Sequence, residues 1–221
     1  MTATPDSIRA NVESVQARIA DAARRSGRDP DAVTLVAAAK TVPADVLQHV
    51  LGCGVVDLGE NRAQELLEKA PELNAGAVRP RWHFIGALQR NKVKALSPWV
   101  ERWHSVDREP LGAAIARHQP GAKVFVEVNL GEEPAKAGCT PGEVGALVGG
   151  LRQHGLSVDG LMTVPPDDAD PRRWFATLAE LAAQTGLREL SMGMTHDFEV
   201  AIEEGATFVR VGRAIFGSRP T

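Results

Sequence analysis

Three groups in this chain could do chemistry together: a lysine ending an apolar run, a threonine hydroxyl, and a glycine turn flanked by arginines. Lys40 follows Val33-Thr34-Leu35-Val36-Ala37-Ala38-Ala39. With its stem against a core and its amine emerging, partial desolvation or a neighbouring cation would lower its pKa and free the amine to condense with an aldehyde. Snorkelling to solvent at a strand end is the competing reading of the same position. Further on, Phe208-Val209-Arg210-Val211-Gly212-Arg213-Ala214-Ile215-Phe216-Gly217 passes from a strand pattern through a glycine into a helical turn. Backbone N–H groups at such a turn can cradle a phosphate dianion, with Gly212 letting the backbone approach closely and Thr195 adding a hydroxyl. A glycine turn alone is equally an ordinary loop.

Bringing those groups together requires a scaffold that gathers the ends of separate strands. Eight short runs qualify: Val33 to Ala39, Gly54 to Leu58, Trp82 to Gly86, Val100 to Val106, Lys123 to Asn129, Ser157 to Thr163, Glu189 to Met194 and Thr207 to Gly212. Helical patterns start near Pro43, Asn61, Gln89, Arg108, Pro141, Asp170 and His196, the alternation expected of a parallel sheet. Closing eight strands removes exposed edges, so the α/β fold expected is a single (β/α)8 barrel over 33–217, an open doubly wound sheet being the alternative. Ahead of it, Ile8, Val12, Val15, Ile19 and Ala22 form one stripe of a helix over residues 4–26, started by Thr4-Pro5 and ended by Gly27 and Pro30. This helix would fill the gap left by a missing eighth outer helix. The whole of 1–221 then reads as one domain, with order expected to fail only in the first few and last few residues. In such a barrel chemistry gathers at the C-terminal strand ends. There the sequence puts Lys40, Asn61, Gln89, Asn129, Met162, Thr195, Arg210, Gly212 and Arg213.

Composition narrows the partners. With 25 Lys and Arg against 28 Asp and Glu, no field of one sign exists to attract nucleic acid or an anionic membrane. Cys53 and Cys139 lie far apart without the spacing of a metal site or a disulfide scaffold, which suits a reducing, cytoplasmic compartment. No signal peptide or membrane span is expected. A monomer is expected, because no long apolar surface helix is left over once the barrel is assembled.

Six motifs in order, AAAKTVP, GENRAQE, HFIGALQRNK, NLGEEPAKAG, GLMTVPP and LSMGMTHDFEVAIEEGATFVRVGRAIFG, run from about Val33 to Gly217. In these the chain resembles the pyridoxal phosphate homeostasis proteins, related to the barrel domain of alanine racemase. The resemblance implies a cofactor, pyridoxal 5′-phosphate (PLP), held as a Schiff base on Lys40. It also implies a phosphate cup of Thr195 with the N–H groups of Gly212 and Arg213, and Arg210 beside the pyridine nitrogen. Asn61 and Met162 would flank the ring. Ser191 is a further candidate whose side chain could instead face the core. His83 reads as a cofactor contact or a packed structural histidine, and Lys136 as a secondary acceptor or a solvated loop lysine. The chain departs from the pattern at Val42, where many relatives carry a second lysine, and at Thr195, where serine is usual.

The same resemblance bears on whether the site turns over a substrate. Strong electron withdrawal by the cofactor needs a protonated pyridine nitrogen, which a cationic Arg210 opposes. Racemisation needs a second acid–base group, supplied in the racemase by a tyrosine, and this chain has no tyrosine. The expectation is therefore a PLP-binding protein that buffers PLP or delivers it to apo-enzymes, without robust activity. A low-activity amino-acid racemase of the same fold and a Schiff-base aldolase acting on a sugar phosphate are the enzyme alternatives.

Overall fold

The computed structural model describes residues 4–167 and 170–217, so the expectation about the chain's extreme ends falls outside it. Helix α1, Pro5–Arg25, begins as its sequence dictates. Thr4 Oγ1 accepts from the Ser7 amide at 3.3 Å and Ser7 Oγ accepts from the Thr4 amide at 2.9 Å, satisfying two donors that a helix start leaves unpaired. The stripe Ile8, Val12, Val15, Ile19 and Ala22 is buried, and Gly27, at φ 69°, turns the chain away after the last turn.

Among the described residues eight parallel strands close into a barrel in sequence order. They are β1 Thr34–Ala38, β2 Asp57–Glu60, β3 Arg81–Phe84, β4 Val100–Val106, β5 Lys123–Glu127, β6 Ser157–Met162, β7 Glu189–Ser191 and β8 Phe208–Val211, with β8 pairing back onto β1. The outer helices are α2 Ala44–Gly52, α3 Ala63–Asn74, α4 Val93–Leu96, α5 Glu109–His118, α6 Val144–Gln153, α7 Arg172–Gln184, α8 Phe198–Glu203 and the short α9 Arg213–Phe216. Helix α1 packs against α8, α9 and α2, closing the ring where, among the described residues, only the short α9 follows β8. No helix among the described residues is long and apolar enough to cross a membrane.

Strand alternation divides the side chains into two populations. Leu58, Trp82, Phe84, Trp103, Val124, Val126, Leu161, Leu190, Val209 and Val211 belong to one continuous core shared with the helices. Val36, Phe125, Met162 and Phe208 form a separate small cluster inside the barrel. Strand β2 lies later than its sequence pattern suggests. Gly54, at φ 84°, follows the end of α2, the apolar Val55 packs in the connection, and pairing with β3 begins at Asp57. The paired residues are Asp57, Leu58, Gly59 and Glu60; Asp57 faces the barrel interior and meets His83, while Glu60 meets Lys69 of α3, so the strand lies past the apolar run on which hydrophobicity had placed it.

Candidate functional site

A cavity of about 1240 Å³ opens at the C-terminal ends of the strands. Lys40, Asn61, Thr195, Arg210, Gly212 and Arg213 all line it, although they come from four separate regions of the chain. Lys40 stands two residues past β1 and is half-buried. Lys136 also reaches the cavity, where its Nζ donates to the Pro165 carbonyl at 3.1 Å and pairs with Glu133 at 2.8 Å. Met162 and Ser191 do not line the cavity; both are fully buried below it.

Two glycines shape the mouth. Gly193 adopts φ 90°, and a Cβ there would stand 2.6 Å from that of Ala201, so only glycine lets β7 end and the chain turn to present Thr195. A Cβ on Gly86 would come within 2.4 Å of Asn61, so the end of β3 can press against the asparagine only without a side chain. At Gly212 φ is negative and a Cβ would make ordinary contact with Ala38, so nothing within the protein demands glycine there. The Asn11 side-chain amide donates to the Ile215 carbonyl at 2.9 Å, tying α1 to α9 behind the turn.

Arg210 is buried below the mouth, where its Nη1 donates to both the carbonyl and Oγ of Ser191 at 2.7 Å and its Nη2 to the Thr163 carbonyl at 2.9 Å. Burial pushes its guanidinium down to about 10, which still leaves it a cation at neutral pH. From Ser191 a hydrogen-bond chain crosses the barrel. His104 Nδ1 lies 2.8 Å from Ser191 Oγ, its Nε2 lies 2.8 Å from His83 Nδ1, and His83 Nε2 lies 2.9 Å from Asp57 Oδ1. Asp57 is closed off below by two bonds from Arg81, at 2.8 and 2.5 Å.

One assignment of protons satisfies every member of this chain. Ionised Asp57 accepts from His83 Nε2–H, His83 Nδ1 accepts from His104 Nε2–H, His104 Nδ1 accepts from the Ser191 hydroxyl, and that hydroxyl accepts from Arg210. Both imidazoles are then neutral. Burial lowers His104 well below its ordinary value, with His83, Arg210 and Arg102 adding to the effect, and burial lowers His83 against the opposing pull of Asp57. Burial works to raise Asp57, but the bonds from His83 and Arg81 outweigh it and hold the carboxyl below the usual range. His83 is thus the packed histidine of the two readings, and Ser191 meets the cavity only through Arg210.

Two buried polar atoms at the upper end of the barrel have no hydrogen-bond partner among the described residues: Asn61 Oδ1 and Glu127 Oε2. Burial, helped by the charge of Asp107, raises Glu127 to about 7. Neither His104 nor Glu127 was visible as special in the sequence. The available signal was a polar residue on the inward-facing positions of runs otherwise reading as strand, Trp103-His104-Ser105-Val106 and Val124-Phe125-Val126-Glu127.

The family model for the alanine racemase N-terminal domain matches residues 4–220. A pyridoxal phosphate homeostasis protein of Pseudomonas aeruginosa is 40% identical over 219 residues, covering 95% of this chain and 94% of that one. The homologue of that name from Aquifex aeolicus is 42% identical over 216 residues, covering 91% and 94%. Among solved structures, PipY of Synechococcus elongatus with PLP bound aligns with a TM-score of 0.80 at 32% identity, covering 95% of this chain and all of that one. Lysine decarboxylase of Selenomonas ruminantium, at 16% identity and a TM-score of 0.73, shares the fold over 61% of its length.

Proposed function

The chain belongs to the pyridoxal phosphate homeostasis proteins built on the alanine racemase N-terminal domain, and from that premise we propose that it holds PLP covalently on Lys40 at the barrel mouth. The observation that carries this reading is the convergence of an amine, a cation, a hydroxyl and a glycine turn on one cavity. Their chemistry fits the cofactor part by part. Lys40 suits an aldehyde. Thr195 with the N–H groups of Gly212 and Arg213 suits a phosphate, since the first amides of α9 have no carbonyl one turn earlier to bond. Arg210 suits the ring nitrogen, and the unpartnered Asn61 Oδ1 is an acceptor awaiting a donor. Met162 and Ser191 act from below, through packing and through Arg210.

When bound, the cofactor supplies an aldehyde that reacts reversibly with amines and a conjugated ring that can withdraw electrons. The protein's own groups restrain the second property. Arg210, a cation fixed by three hydrogen bonds, disfavours a proton on the neighbouring ring nitrogen. The chain offers no tyrosine, and His196, the imidazole lining the cavity, is exposed in the turn before α8. We therefore read the protein as a buffer or deliverer of PLP without robust catalysis, acting as a monomer in the cytoplasm and passing PLP to apo-enzymes.

The test is a visible spectrum of purified protein before and after borohydride, with peptide mapping of the reduced adduct. A tag on Lys40 is expected; a tag on another residue overturns the assignment. Incubation with L-amino acids in heavy water should give no protein-dependent α-proton exchange, and rapid exchange would establish the racemase reading instead. Transfer to an apo-enzyme should outpace free PLP at equal concentration, or delivery is wrong and buffering alone stands.

A further inference from the structure

Lys40 lies between two peptide groups held by a single side-chain cluster. Lys69, on α3, donates to the Ala39 carbonyl at 2.9 Å, to Glu60 Oε2 at 2.8 Å and to Glu65 Oε2 at 2.8 Å. An ammonium has three donors, and all three are committed here. Glu65 Oε2 also accepts from the Thr41 amide at 2.6 Å, and its other oxygen accepts from Arg62 at 3.1 Å. Glu60, fully buried at the end of β2, accepts from the amides of Asn61 and Arg62 at 2.9 and 3.3 Å. The residue before Lys40 and the residue after it are therefore both tied to one lysine–carboxylate cluster.

Thr41 has φ 63°. A β-branched residue rarely occupies the left-handed region, and it persists there only where surrounding contacts over-determine the backbone. Those contacts are the Glu65 carboxylate on its amide and its own hydroxyl on the Lys40 carbonyl at 2.6 Å. A tie between α3 and the barrel would need only Lys69 and Glu60. The additional bonds to Ala39 and Thr41 do something else: they fix the direction in which the Lys40 side chain leaves the backbone.

We propose that Lys69 is a positioning residue for Lys40, fixing, with Glu60 and Glu65, the peptide groups on both sides of it and maintaining the left-handed turn at Thr41. The inference rests on the reading of Lys40 as the cofactor lysine and assigns a task to Glu60, Glu65 and Lys69, which that reading leaves without one. It also removes Lys69 from candidacy as a second acceptor for the aldehyde.

The experiment compares wild type with Lys69→Met, Lys69→Arg and Lys69→Met/Glu60→Gln, the last avoiding a stranded buried carboxylate should the single variant not fold. Two measurements are made: PLP affinity by visible absorbance, and the rate of Lys40 modification by a small amine-reactive reagent in cofactor-free protein, read by peptide mass spectrometry. Loss of Lys69 should weaken PLP at least tenfold and change the Lys40 labelling rate at least threefold, with Lys69→Arg recovering part of both. Adding Thr41→Gly, which makes the left-handed turn sterically free, should restore part of the affinity lost in Lys69→Met/Glu60→Gln. If folded Lys69→Met/Glu60→Gln binds PLP and labels as wild type does, the positioning role is wrong while Lys40 remains the cofactor lysine. If the wild-type borohydride adduct maps away from Lys40, the underlying reading fails and the proposal with it.

Discussion

Replacing His104 by glutamine tests the hydrogen-bond chain through the barrel by its pH dependence. Native His104 is buried among His83, Phe125 and Phe208, and its proton assignment leaves it neutral. In the unfolded chain it takes up a proton near its reference pKa of about 6.5. Because the unfolded state then binds more protons than the native state, stability falls as pH drops below that value. For an imidazole that stays neutral in the native state throughout, the loss between pH 7 and pH 5 is about 2 kcal/mol. Glutamine keeps a donor and an acceptor but cannot titrate, so the variant, although less stable at neutral pH, should lose about 2 kcal/mol less over the same interval. Glu127 titrates with the opposite sign in both proteins and drops out of the difference. Urea unfolding at pH 7, 6 and 5, with unchanged denaturant slopes, measures it. Parallel pH profiles for the two proteins would refute the neutral assignment.

Ser191→Ala removes the donor to His104 and one acceptor of Arg210, leaving the Ser191 carbonyl and Thr163 to hold the guanidinium; a loss of about 2–3 kcal/mol is expected in chemical denaturation. Glu127→Gln acts on a carboxyl raised to about 7, whose contribution is present at low pH and lost as pH rises through that value. The variant should therefore gain roughly 3 kcal/mol on wild type at pH 8 and little at pH 5, a comparison two unfolding curves settle. Gly160→Ala puts a Cβ 1.9 Å from the Glu189 carbonyl, where backbone rather than a side-chain tip must move, and should cost at least about 3 kcal/mol, seen as a large fall in melting temperature. Asn11→Ala cuts the bond from α1 to α9 and should cost about 1 kcal/mol while weakening PLP affinity, measured by absorbance titration, if α9 holds the phosphate.

Sequence alone determined the frame of this protein. The Thr4 cap, the buried stripe of α1 and the run Val100 to Val106 are local matters of capping geometry and periodicity, and each stands where its residues put it. The ordered motifs carried Lys40, Asn61, Thr195, Arg210, Gly212 and Arg213 to one cavity, because strand ends in a closed barrel must converge. What the tertiary structure decided is the inside. Asp57, His83, His104, Ser191 and Arg210 come from five different strands, so no local pattern links them; only closure brings their side chains within hydrogen-bond distance. Strand β2 lies later than hydrophobicity places it for the same reason: two of its four residues are carboxylates, Asp57 bonded to His83 inside the barrel and Glu60 to Lys69 of α3, and those partners come from other elements. Lys69 is likewise an ordinary surface-pattern lysine until α3 folds over the end of β1. There the three donors of its ammonium meet the backbone on one side of Lys40 and, through Glu65, on the other.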